Sequence, residues 1–163
     1  MFVVRPRSHS RGLRSAPVEA AGGDPGQATR LVEHHEFAAN PDAVPAARHA
    51  AAAAAARVGE PLAETVAMLV SELVTNAVEH SGASPQTTIA MDLRETADSL
   101  RIEVSDGGRG FDPPFGAPPD EEPRGRGLLL VQLLADSWGV SANPSTRVWF
   151  ELSTNNGREA ASA

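Results

Sequence analysis

The chain has 163 residues, 41% hydrophobic and 21% charged, which fits one ordinary globular domain long enough to bury a core. It contains no cysteine and no lysine, which excludes disulfides, thiolate metal sites, a cysteine nucleophile, a Walker A phosphate loop and a Schiff-base lysine. The net charge of −7 is uneven, with five Arg against Glu19 and Asp24 in residues 1–30 and an acidic excess in the rest, a poor surface for phosphate backbones.

Residues 1–27 are rich in Arg, Ser, Gly and Pro and lack an apolar period, so a disordered tail is expected there. Its opening, Met1-Phe2-Val3-Val4-Arg5, is not followed by an apolar signal core, and no run approaches the ~20 residues of a membrane span. The expectation is a cytoplasmic protein with neither nucleic acid nor membrane as partner. The folded domain is placed at 28–153, with a frayed tail at 154–163. Residues 28–37 read as a first strand. Asn40-Pro41-Asp42 is a helix-start signal, and nine Ala in the eleven positions from Ala46 to Ala56 predict a helix over 42–58. Gly59 and Pro61 stop it. A second helix is predicted over 62–80, with Val66, Val70, Leu73 and Ala77 at helical spacing. Residues 87–94 and 99–105 alternate as half-buried strands joined by a short turn.

The composition then shifts. Residues 106–127 hold six of the fourteen Gly, and 111–124 hold five of the thirteen Pro, the mark of a long functional loop. An apolar helix is predicted over 128–137. A strand begins at Trp138-Gly139-Val140, and Thr146–Leu152 forms the last strand. Together these elements predict an α+β two-layer sandwich, a mostly antiparallel sheet with helices on one face.

Three stretches hold candidate chemistry. Glu72 and Asn76 lie four apart on the second helix, about 40° from each other around its axis. A carboxylate and an amide oxygen there suit magnesium, or the acid orients or deprotonates a nucleophile. The same spacing also describes an ordinary amphipathic helix with polar flanks. Asp106-Gly107-Gly108-Arg109-Gly110 follows a strand. An Asp there can accept a hydrogen bond from a base amine, and the glycines permit close backbone approach; a Gly-rich Asx turn is the plainer reading. Gly125-Arg126-Gly127-Leu128 precedes a helix, where exposed N–H groups and the dipole favour an anion. Arg126 or Arg124 can add a bidentate phosphate contact. Glu33-His34-His35-Glu36 suggests metal binding, but adjacent strand residues point to opposite faces, which separates the two imidazoles. His80 reads as a packed or hydrogen-bonded histidine, and Trp138 and Trp149 as core or interface residues.

The order of these stretches describes one nucleotide pocket: acid–amide helix, strand with an Asp-Gly-rich turn, long loop, Gly-x-Gly at a helix start. The segments VSELVTNAVEHSG, IEVSDGGRG, GRGLLLVQLLADSWGV and TRVWFEL resemble the GHKL ATPase superfamily, and within it the anti-sigma factor serine kinases of bacteria. The resemblance covers roughly 30–153 and implies a Bergerat ATP-binding fold with ATP and Mg2+ as cofactors. It implies that Glu72 is the catalytic acid–base residue and Asn76 the magnesium ligand. Asp106 would hydrogen-bond adenine, with Gly108 and Gly110 lining the base. Gly125, Arg126, Gly127 and Leu128 would meet the phosphates, and Thr146 would support Asp106. Where the family often has Gly-Thr, this chain has Ser145-Thr146. The implied partners are a sigma factor and an antagonist of the STAS fold, with a homodimer as a further expectation. The alternatives are a non-catalytic module gated by nucleotide and a detached histidine-kinase ATPase domain, although no phosphoacceptor helix pair fits before residue 40.

Overall fold

The computed structural model describes residues 2–4, 29–80, 87–106, 126–141 and 145–154. Six strands and three helices follow in the order β1 (Phe2–Val4), β2 (Arg30–Ala38), α1 (Ala43–Ala56), α2 (Glu60–His80), β3 (Thr88–Glu95), β4 (Ser99–Asp106), α3 (Arg126–Leu134), β5 (Ser137–Ser141) and β6 (Thr146–Ser153). The strands form one sheet in the order β1-β5-β6-β4-β3-β2. Every neighbouring pair is antiparallel. The fold is therefore α+β, as the sequence predicts, and its described sheet is wholly antiparallel.

Alternation along the strands separates two faces. On the inner face, the registers line up Met91, Val104, Val148 and Val140 in one row and Leu93, Ile102, Phe150 and Trp138 in the next. All eight are buried. Helices α1 and α2 close this face. Their contacting sides bury Ala47, Ala51 and Ala55 from α1 and Val66, Leu69, Val70, Leu73 and Val74 from α2. Small alanines let the two helices approach closely. α2 also packs on β3, β4 and α3, and α3 on β5.

The outer face is polar. Glu103 is bracketed by Arg147 at 3.1 Å and Arg101 at 3.6 Å. The Arg101 guanidinium sits 3.7 Å from the centre of the Trp149 ring, a cation–π contact. Burial holds the Arg101 pKa below its ordinary value, against the opposing pull of Glu103. Trp149 lies opposite Gly139 in the strand register.

Several boundaries differ from the sequence expectation. Phe2–Val4, assigned by sequence to the tail, pairs with β5: three apolar residues suit an edge strand even though they are too few to show a period. The rest of 5–28 and of 155–163 lies outside the described residues. Pro61 does not separate α1 from α2. It sits in the first turn of α2, where a missing N–H breaks no helical bond. α3 starts at Arg126 and stops at Leu134, rather than running over 128–137. The chain is drawn out of the helix at Asp136, whose N–H donates to the Glu151 carbonyl at 3.0 Å. The Asp136 carboxylate in turn accepts the Ser153 N–H at 2.7 Å.

Candidate functional site

The inner-face rows of the sheet end on a polar pair. β4 alternates Leu100, Ile102, Val104, Asp106 on its inner side, and β6 alternates Leu152, Phe150, Val148, Thr146. Register sets Asp106 directly opposite Thr146. The two are 7% and 5% exposed, and with Ser99 they are the buried polar residues among those described. An aliphatic residue would continue the core at this position. A buried carboxylate is costly and rare without a partner, so its presence beside a buried hydroxyl marks a polar floor beyond the Val104–Val148 row.

Above this face, α2 carries Glu72 and Asn76. Both are half-buried, on the flank between the buried stripe of Leu69, Leu73 and Ala77 and the exposed side with Met68. They therefore face the margin of the core rather than open solvent. α3 begins at Arg126, so the backbone of Arg126 and Gly127 forms its first turn. Leu128 is half-buried against the core, and Val131, one turn later, is fully buried. Burial of these apolar residues seats α3 against α2. A nine-residue helix offers free N–H groups and a partial positive charge there.

The fold thus brings together the elements bearing Glu72, Asn76, Asp106, Thr146, Arg126, Gly127 and Leu128: α2, the adjoining ends of β4 and β6, and α3. Gly108, Gly110 and Gly125 lie outside the described residues. The donor set suits Mg-ATP: a buried carboxylate can accept from an exocyclic amine, two oxygen-bearing side chains one helical turn apart match a hard cation, and helix N–H groups match phosphate.

The histidines of β2 serve no common centre. His34 is on the outer face, with Nδ1 2.6 Å from Asp92. His35 is on the inner face, with Nε2 2.9 Å from Glu33, which also accepts from Arg57 at 2.7 Å. Those two hydrogen bonds, from His35 first and Arg57 second, hold the Glu33 carboxyl below its ordinary range. Sequence reasoning missed Arg57 as the clamp between α1 and β2. Its signal is weak, an Arg at a helix end with an acid far away in the chain. Among the described residues, no helix is long and apolar enough to cross a membrane.

The profile of the histidine kinase-like ATPase domain matches residues 37–152. No curated protein matches the chain. One similar solved structure is the histidine kinase domain from the Erythrobacter litoralis EL346 blue-light activated histidine kinase, at 25% identity and a TM-score of 0.47. The alignment covers 60% of this chain and 46% of that one, so this chain spans less than half of that structure's length. With its profile match across most of the sequence, the chain belongs to the histidine kinase-like ATPase family, the GHKL superfamily of ATP-binding domains.

Proposed function

We propose that this chain binds Mg-ATP between α2, the ends of β4 and β6, and the start of α3, and that it is a regulatory protein kinase of the anti-sigma type. Its substrate is a serine on an antagonist of the STAS fold, and its second partner is a sigma factor. The observation that carries the nucleotide reading is the buried Asp106–Thr146 pair at the end of an otherwise aliphatic face. Asp106 would accept the adenine amine, with Thr146 holding the carboxylate in place. The N-terminus of α3, with Arg126 and Gly127, would receive the phosphates. Asn76 would hold the magnesium, which when bound offsets charge on the phosphates. Glu72 would orient the acceptor hydroxyl and take its proton at a carboxylate oxygen. The anti-sigma assignment is supported by the sequence resemblance in α2, β4 and α3.

Calorimetry with Mg-ATP tests the pocket. Asp106→Asn should weaken binding by about 10- to 100-fold, the worth of a hydrogen bond to a charged group. Equal affinity in the two proteins would remove Asp106 from the site. Glu72→Gln should keep ATP affinity and lose phosphoryl transfer to the antagonist. Normal transfer by that variant would overturn the base assignment.

A second reading has the family description in its favour: a detached ATPase domain that serves a histidine phosphoacceptor. Incubation with labelled ATP separates the two. Acid-stable phosphate on a partner serine supports the first reading, and acid-labile phosphate on histidine supports the second.

A further inference from the structure

α3 is apolar nearly all the way round. From Leu128 to Leu134 its single polar side chain is Gln132. A surface helix ordinarily turns one apolar stripe to the core and polar residues to solvent, and a helix apolar on every side is normally covered on every side. Leu128, Leu130 and Val131 meet the core. Leu129, Leu133 and Leu134 do not, and they are 46%, 53% and 42% exposed. The nine residues of α3 thus hold three of the six large apolar side chains that are exposed among the described residues. Single leucines scattered over a surface are ordinary, whereas a cluster on one short helix marks a contact. Leu129 and Leu133 are four apart, so they stand one turn above the other on the same side of the helix.

The surroundings select the partner. α2 packs beside α3. Its exposed side carries Glu64, Met68 and Glu79, which fall within about 60° of one another around the helix axis. Met68 is itself 44% exposed. From Glu60 to His80, α2 has four Glu and neither Arg nor Lys. Such a flank repels an anionic lipid surface and attracts a cationic segment. We propose that the exposed leucines of α3 and the acidic side of α2 dock a cationic amphipathic helix of another protein. The apolar stripe of that helix covers Leu129 and Leu133, and its Lys or Arg flank meets the glutamates of α2. In this mode of recognition the apolar anchors supply affinity, and the charged margin steers the approach and fixes the orientation. The inference does not rest on nucleotide binding.

A fluorescent helical peptide of about 18 residues is the probe, with leucines at i, i+3, i+4 and i+7 and lysines on its flanks. The same peptide with Glu in place of Lys is the charge-reversed probe. Anisotropy titrations on the full chain should show saturable binding of the Lys peptide and none of the Glu peptide. Leu129→Ser/Leu133→Ser should weaken binding about 10- to 100-fold. Glu64→Lys/Glu79→Lys should weaken it about 3- to 10-fold and admit the Glu peptide. All four positions are exposed, so both variants should keep the circular dichroism and melting of the wild type, which separates a lost contact from a lost fold. No binding of the Lys peptide, or binding that either pair of substitutions leaves unchanged, would overturn the proposal. So would a peptide that binds only after Arg5, Arg7, Arg11 and Arg14 are changed to Gln, since the chain's own N-terminal segment would then hold the face. Binding to zwitterionic or anionic vesicles that is lost in Leu129→Ser/Leu133→Ser would overturn it too, with lipid as the occupant.

Discussion

His34 and Asp92 meet across β2 and β3 on the outer face, and their titration gives the molecule a definite pH signature. The Asp92 hydrogen bond raises the His34 pKa above its ordinary 6.5. At Asp92, burial pushes the pKa upward, but the hydrogen bonds from His34 and Arg94 outweigh it and the net shift is below 3.8. A raised histidine pKa contributes stability that is complete below 6.5 and fades as pH climbs through the folded-state value. A depressed carboxyl pKa contributes above 3.8 and fades as pH falls through its folded-state value. The pair is therefore strongest between those limits. Thermal melts of the wild type and Asp92→Asn should differ most near pH 5–6, and the gap should narrow toward pH 8. A gap that widens with pH would contradict the pairing. The opposite orientations of His34 and His35 were readable in advance from the two-residue period of a strand. The partner of His34 was not, because Asp92 is 58 residues away and only the sheet register joins them; His35 instead bonds Glu33, two residues back on the same face of β2.

At the scale of elements, the helix pair depends on small side chains. Ala47, Ala51 and Ala55 are each 0% exposed where α1 meets α2. Ala51→Leu should cost about 1–3 kcal/mol by overpacking, whereas Ala53→Leu, on the exposed side, should leave the melt within about 0.5 kcal/mol. Similar losses from both would mean that the α1–α2 spacing is looser than the burial implies. At the sheet, Phe150→Ala should cost about 3–5 kcal/mol, since Phe150 is fully buried in the middle of a core row; a smaller loss in denaturant melts would argue against that packing. The helices and the four central strands were legible because their periods span many residues. The failures were local. Pro61 reads as a stop in isolation and is a permitted first-turn residue in context. The end of α3 is set by Asp136 bonding to β6, a long-range contact with no local signal. β1 is stabilised as a strand by the β5 edge, which the sequence near Phe2 cannot reveal.

For the whole molecule, the candidate site and the core are the same construction continued. The aliphatic rows that hold the helices to the sheet end at Asp106 and Thr146, so ligand binding there should be felt as global stability. That Glu72 and Asn76 sit on α2 and Asp106 at the end of β4 was legible because those elements are strongly periodic. That Thr146 stands by Asp106 was reached only through the family resemblance, because periodicity cannot show that β6 pairs with β4 across 39 intervening positions. A ligand that binds only the folded state at a hundred times its Kd adds about 2.7 kcal/mol. For a chain of this length each kcal/mol moves Tm by about 2–4 °C, so saturating Mg-ATP should raise Tm by roughly 5–11 °C. For Asp106→Asn, with affinity lowered about 10- to 100-fold, the same concentration should add only about 0.4–1.4 kcal/mol. Scanning fluorimetry at fixed Mg-ATP checks both values. Equal shifts in the two proteins would show that the nucleotide acts elsewhere on the fold. A shift that is several-fold larger in the wild type than in Asp106→Asn would tie the end of the β4–β6 pair to the nucleotide and to the stability of the sheet at once.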